Sequence, residues 1–441
     1  MKTKRRFYFL LVGIAGFLAL WIIFKDDLFL NILILILSLA IISYLSARIA
    51  LKGIILQRTS RFQKMNVGDY FEDHFDIENT HPLWKQWLEI RDYSGISGNA
   101  EEARILAGID ARKVRTFNTY TFLRKRGEFT LGPMRLVSGD FFGFFELSRI
   151  VENPKRLVVL PRIVKLDHFA YLPAYLSGGK ELKVASPETT PFAAGVREYF
   201  PGDTLRRIHW PTTARKAKLM VKEFDKDPQM NTWILVDCAA ENHFAPKETD
   251  PFSHPSDYWS VRRQARYELP CCTFEYAVTA AASITKFFIE HNFGVGVISS
   301  NHQGQVLVSD HGYRQLGKAL DILASLQPDG NIPFDVFVMD HIKRINRGNT
   351  VILISTLQNA QMLNIIDLVM ARGLAGIYVC VHKASFLQDK NTPPAYDWFQ
   401  AEIQMRAIPF FQIHYTADVK ECLENEIAMR PSPAARHPER T

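Results

Sequence analysis

Cysteine is scarce. Five (Cys238, Cys271, Cys272, Cys380, Cys422) are spread over 441 residues, and none forms a Cys-x-x-Cys pair. An odd, sparse set argues against a disulfide framework and fits a reducing compartment. The neighbours Cys271 and Cys272 read as small apolar fillers at a helix start, with a redox pair as the alternative. Also missing are a Walker-type glycine loop, a His-Glu-x-x-His helix and a Gly-x-Ser-x-Gly elbow. Gly294-Val295-Gly296 lies within an apolar strand pattern and matches a nucleotide loop only weakly.

Acidic residues fall short of basic ones, 46 against 53, for a net charge of +7. The excess is local. Residues 1–64 hold ten Lys/Arg and two acids, +8 in all, which leaves about −1 for the remainder. That near-neutral remainder argues against a broad phosphate-binding face, so nucleic acid is not expected as a partner.

Charge is absent from Phe7 to Phe24 and again from Leu28 to Leu45, 18 residues each, with only Lys25, Asp26 and Asp27 between. Eighteen helical residues rise about 27 Å, near the thickness of a hydrocarbon core. The pattern predicts a transmembrane helical hairpin over 7–45. A secretory signal would call for a small-residue cleavage site, and none is clear. Residues 1–6 form a basic flank and 46–65 a basic juxtamembrane segment. The positive-inside rule then puts both flanks in the cytoplasm, making a multi-pass plasma-membrane protein with cytoplasmic soluble domains.

Residues 66–160 alternate with period 2. Phe71, Phe75 and Ile77 share one face, Trp84, Leu88 and Ile90 another, and Gly127, Gly132-Pro133 and Gly139-Asp140 read as turns. Short strands without helical periodicity predict a β-sandwich. Residues 161–229 read as a linker with a distinctive motif. Over 230–425, apolar strands such as "TWILVD" and "TVILIS" alternate with helical patterns such as "TFEYAVTAAASITKFFIEHN". That order predicts a doubly wound α/β domain, interrupted by a polar loop at 242–270. Residues 426–441 read as a disordered tail.

The motif is "REYFPGDTLRRIHWPTTARK", Arg197 to Lys216. Arg197 to Tyr199 should end a strand. Pro201-Gly202 suits a type II turn, Asp203 an N-cap for a short helix from Thr204, and Pro211 the end of that helix. Arg197, Arg206, Arg207 and Arg215 with Glu198 and Asp203 suggest an ion-pair network, and Tyr199 and Trp210 apolar bulk. The alternative is a grip on an anionic ligand or acidic partner, since residues 197–226 carry net +4. A lone His209 without a nucleophile is weak ground for acid–base chemistry.

This stretch resembles the signature of the DUF58 family, R-E-Y-x-x-G-D-x-x-R-x-I-x-W-x-x-x-A-R-x-x-x-L-x-V. Arg197, Glu198, Tyr199, Gly202, Asp203, Arg207, Ile208, Trp210, Ala214, Arg215, Leu219 and Val221 match. "RKRGEFTLGPMRLVSGDFFGFFEL" also resembles a family stretch, departing at Phe142 and Phe145. The resemblance implies a membrane-anchored protein with a von Willebrand factor A-like α/β domain, and a partnership with MoxR-type AAA+ ATPases. Such domains often hold Mg²⁺ through Asp-x-Ser-x-Ser. Here the stretch is Asp237-Cys238-Ala239-Ala240-Glu241, with Ala239 and Glu241 at the serine positions and Ser355-Thr356 in place of a later Ser-Asp. A hard cation needs several oxygen ligands, so the degenerate site predicts neither metal nor cofactor. Asp237 should instead cap nearby backbone groups.

The expectation is therefore a binding and assembly protein, not an enzyme, acting as adaptor for a MoxR-type ATPase. Two alternatives stand beside it. One is a metal-assisted hydrolase using Asp237 and Glu241 with a histidine; the other is an anion binder using the arginines of 197–216. Oligomeric state has no signature in the sequence.

Overall fold

The computed structural model describes residues 2–97, 102–140, 142–169, 193–200, 208–224, 231–246, 267–387 and 396–426. The chain divides into two compact units, Met1–Leu160 with Glu248–Glu268, and Pro161–Lys247 with Leu269–Thr441.

The first unit opens with two helices that pack together, α1 (Lys2–Phe24) and α2 (Asp27–Ala50). Asp26 caps α2, its Oδ1 accepting from the Leu28 amide at 3.0 Å. By length and composition α2 can cross a membrane, whereas the apolar part of α1, Tyr8–Phe24, is shorter.

Strands β1 (Ile54–Ser60) and β2 (Lys64–Asn66) follow at once. β1 and the first two residues of β2 lie inside the segment expected to be only juxtamembrane. Ile54, Leu56 and Arg58 point inward, and a buried arginine at the third inward position hides the alternation from a hydropathy reading. Then come β3 (Tyr70–Asn79), β4 (Lys85–Asp92), β5 (Glu102–Ile109), β6 (Val114–Phe122), β7 (Gly127–Leu131), β8 (Met134–Gly139), β9 (Glu146–Val151) and β10 (Lys155–Leu160). They form sheets of order β1-β3-β6, β5-β4-β8-β9 and β2-β10-β7. Leu56, Phe75 and Ile77 of the first sheet share one core with Leu88, Ile90, Met134 and Leu136 of the second. That is the layered arrangement the alternation predicts.

Trp84 departs from expectation. It precedes β4 and is 55% exposed, and the buried neighbour is Lys85. Lys85 Nζ donates to the Ile49 carbonyl at 2.5 Å, capping the end of α2 where a cation is favoured. Burial pushes its pKa down.

The second unit starts with a two-stranded antiparallel pair, β11 (Ala193–Glu198) and β12 (Met220–Phe224), joined through the short helix α3 (Trp210–Lys216). Its main body runs β13 (Asn231–Val236), α4 (Thr273–Glu290), β14 (Gly294–Ser299), β15 (Val306–Asp310), α5 (Tyr313–Ser325), α6 (Phe334–Ile342) and β16 (Thr350–Ser355). It continues α7 (Ala360–Ala371), β17 (Ala375–Val381), α8 (Lys383–Phe386), α9 (Tyr396–Met405), β18 (Phe410–Ile413) and α10 (Val419–Glu424).

Among the described residues the sheet order is β15-β14-β13-β16-β17-β18, parallel except for the edge strand β15. Helices α6, α7 and α9 pack on one face, over Leu235, Leu353, Tyr378 and Phe410. Helix α4 packs on β13, β14, β16 and β17, with α10 beside it. Because β14 lies on one side of β13 and β16 on the other, the strand order reverses at β13. In doubly wound sheets a crevice opens outside the carboxyl ends of the strands at such a point.

Candidate functional site at the strand-order reversal

Asp237 follows β13 directly, at the reversal, and is fully buried. Its Oδ1 accepts from the Ala239 amide at 2.9 Å. Its Oδ2 accepts from Asn242 Nδ2 at 2.8 Å and from Ser355 Oγ, at the end of β16, at 2.6 Å. A buried carboxylate with donors on both oxygens ties the two strand ends together. Of the backbone groups it was expected to cap, it bonds one, the Ala239 amide; the other two donors are side chains.

The surrounding loop is held equally closely. The Cys238 amide donates to Ser300 Oγ at 2.7 Å, and Thr356 Oγ1 to the Asn242 carbonyl at 2.7 Å. His243 Nε2 lies 2.8 Å from the main-chain oxygen of Asp237, and its Nδ1 3.2 Å from Thr273 Oγ1. Gly330 closes the far side, its amide bonded to the Cys238 carbonyl at 2.9 Å. A Cβ there would stand 2.2 Å from the Ser300 carbonyl oxygen, so only glycine lets the chain pass.

Ala239 is buried and bridges to Gly330. Glu241 is exposed, and its carbonyl accepts from Lys383 Nζ at 2.8 Å. Asp237, Glu241 and His243 are thus adjacent in sequence without forming a ligand set. Among the described residues no three His, Cys, Asp or Glu side chains are placed to hold a metal. Beneath Asp237, Tyr378 donates its hydroxyl to the Leu357 carbonyl, and burial raises its pKa well above the usual phenol value. Burial likewise pushes the Cys380 thiol up to about 12, far from a reactive thiolate. Sequence reading missed Asn242, a Tyr378 hydroxyl under the site and the part played by Ser355. A polar residue five positions beyond a strand-end aspartate is the one signal that pointed to Asn242.

Of the signature residues, Gly202, Asp203 and Arg207 lie outside the described residues. Arg197, the last residue but one of β11, donates from Nη1 to the Glu198 carbonyl at 3.1 Å, and stands 5.9 Å from the Phe200 ring centre. Glu198 pairs with Lys218 at 3.2 Å, both well exposed. Tyr199 donates its amide to the Leu219 carbonyl, and Ile208 is buried in a bridge to Val221.

The short helix expected from Thr204, with Asp203 as its cap, lies outside the described residues; Pro211 itself sits in the first turn of α3, where proline lacks no needed amide hydrogen. The cap is His209, whose Nδ1 accepts from the Thr212 amide at 3.3 Å. Trp210 is not apolar bulk but 65% exposed, as is Phe200. Ala214, Arg215 and Lys216 are exposed on the same short helix. Among the described residues of the motif, Phe200, Trp210, Arg215 and Lys216 are exposed, and Glu198 forms an exposed ion pair with Lys218.

A chain with an apolar N-terminal helix, layered β-sheets and a doubly wound α/β unit carrying this motif defines a class. Residues 195–251 match the family described as "Protein of unknown function DUF58". The uncharacterized Bacillus subtilis protein YeaD is 23% identical over 217 residues, 49% of this chain and 47% of that protein. An uncharacterized Mycobacterium tuberculosis protein is 31% identical over 94 residues, 21% of this chain and 29% of that protein. The chain thus spans about half the length of the first relative and less of the second. Among solved structures, the CARDB domain of a Pyrococcus furiosus protein aligns with 24% of this chain and 91% of its own. At 11% identity and a TM-score of 0.19 that likeness is too slight to bear on fold or function. Residues 195–251 thus carry the DUF58 match, and the similarity to YeaD supports membership of that family.

Proposed function

We propose that this protein is a membrane-anchored binding and assembly protein, an adaptor that docks a MoxR-type AAA+ ATPase. In this reading α1 and α2 form a transmembrane hairpin with both ends in the cytoplasm. The α/β unit is a von Willebrand factor A-like domain that recognises a partner without a metal. The signature segment presents the docking surface. The observation that carries the reading is the contrast between the two candidate places. Asp237 spends its acceptors on Ala239, Asn242 and Ser355, while Trp210, Arg215 and Lys216 stand in solvent. A buried, bonded carboxylate suits architecture, and exposed tryptophan and arginine suit a protein contact. The ATPase itself comes from the family resemblance.

The exposed cations Arg215, Lys216 and Lys218 also favour a second reading, an anionic ligand at the same segment. One experiment separates the two. Tagged full-length protein in detergent is used to recover partners with and without ATP, beside a Trp210→Ala/Arg215→Ala chain. Both residues are exposed, so the variant should keep its thermal stability. Recovery of an AAA+ ATPase by the parent and at least tenfold less by the variant is expected. Equal recovery would move the contact elsewhere, and no ATPase under any condition would sink the adaptor reading.

A further inference from the structure

Between β8 and β9 the sequence runs Asp140-Phe141-Phe142-Gly143-Phe144-Phe145, and all but Phe141 are among the described residues. Such a run of aromatics in a turn has no use in forming the turn itself. Asp140 builds it. The buried carboxylate accepts from the Phe142 amide at 3.0 Å and the Phe145 amide at 2.7 Å. It also accepts from the hydroxyl of Ser43, a fully buried residue of α2. Phe145 packs edge-on against Tyr44 of α2, ring centres 5.5 Å apart. Gly139 permits the close turn, since a Cβ there would lie 2.3 Å from the Phe145 carbonyl oxygen. The turn is therefore fastened to α2 at Ser43 and Tyr44. Phe142 and Phe144 stack on each other at 5.8 Å, and Phe142 is 49% exposed. Leu147, which follows on β9, is 39% exposed.

The height of this turn along α2 decides what covers it. If Lys25, Asp26 and Asp27 mark one face of a bilayer, a 30 Å hydrocarbon core spans about 20 helical residues from Leu28 and ends near Ala47. Arg48 follows at once, its guanidinium 5.3 Å from the Tyr44 ring centre, and tyrosine with arginine is the composition of a membrane–water boundary. Ser43 and Tyr44 then fall about 5 Å inside the far boundary, by the same rise per residue. The turn that carries the stacked phenylalanines is fastened at that level through Asp140 and Phe145.

We propose that the β8–β9 turn is a membrane-inserting aromatic loop that beds the β-sheet unit into the same bilayer α2 crosses. This rests on the reading of α2 as a transmembrane helix. The occupant is lipid, at the junction of acyl chains and headgroups, where an exposed aromatic pair is accommodated. A protein partner on those rings would leave them on the aqueous side.

Spin labels on full-length protein in phosphatidylcholine–phosphatidylglycerol vesicles test it. One label is placed through Phe142→Cys and one through Leu35→Cys in mid-α2, both exposed positions, and labelling of the native cysteines is measured on the parent and subtracted. The expected result is that dioxygen relaxes the label at 142 several-fold more than an aqueous nickel chelate does, at a depth of about 5–10 Å. Lipid exposure at 35 with a water-exposed label at 142 would overturn the inference and leave the anchor standing. Water exposure at both positions would overturn the anchor, and the inference with it.

Discussion

Asp237 shows how one side chain can look like a metal ligand and act as a structural one. Its sequence neighbourhood has an aspartate after an apolar strand, an acid four positions on and a histidine two further. The fold gives each a different task. Asp237 bonds inward, Glu241 points outward and His243 reads a main-chain oxygen. Removing a donor from a buried carboxylate costs about 1–3 kcal/mol. Ser355→Ala should therefore destabilise the α/β unit by about that amount, measured by urea unfolding in detergent. Glu241→Ala, at an exposed position, should stay within about 0.5 kcal/mol. Equal losses from the two would mean that Asp237 is not the tie between β13 and β16.

Among the elements, β1 carries the largest local stake. Arg58 is buried in the β-sheet unit, bonded through Nε to Asp73 at 2.9 Å and through Nη1 to Ser94 at 3.0 Å, with Asp92 at 3.2 Å. Its guanidinium also lies 5.3 Å from the Phe75 ring centre. Burial pushes the Asp73 pKa up, against the downward pull of Arg58. The three strands β1, β3 and β4 thus meet at one charge cluster, and taking away its cation strands two buried carboxylates. Arg58→Ala should cost about 3–5 kcal/mol, read as a lower urea midpoint for the β-sheet unit. A loss below about 1 kcal/mol would mean that water reaches the cluster. The same cluster explains why β1 escaped a hydropathy reading: its inward face includes an arginine.

At the scale of the whole molecule the two units should respond differently to acid. His382, after β17, is half-buried beside His414, ring centres 5.1 Å apart. Burial first and then His414 depress its pKa from 6.5 to about 4. A histidine held neutral by the fold contributes stability above pH 6.5, and that contribution is lost as pH falls toward 4. With screening at a half-buried group, the loss should be about 1 kcal/mol, or about 2–4 °C in the α/β unit's melting temperature. Asp73, with a raised pKa, acts with the opposite sign in the β-sheet unit, favouring it as pH falls toward 3.8. Calorimetry of the parent and a His382→Gln chain between pH 7 and 4.5 checks this. The α/β transition should fall more in the parent, and parallel curves would remove His382 as the cause.

Several features could be read directly from residue order. Uninterrupted apolar runs made α2 visible as a helix long and apolar enough to cross a membrane. The alternation of Phe71, Phe75 and Ile77, and the strand–helix rhythm after Thr232, announced layered sheets and a doubly wound unit, because pleat and helix impose different periods. The twelve matching positions of the motif announced the family. The tertiary structure decided the rest. It put Arg58 inside, turned Trp210 outward, placed Pro211 in the first turn of α3, and filled the Asp237 site with Asn242 and Ser355. It also fastened the phenylalanine turn to α2, across 97 residues of sequence from Ser43 to Asp140. Periodicity reports which way a side chain points from its own element. What it meets there depends on another element, and that partner is chosen only when the chain has folded.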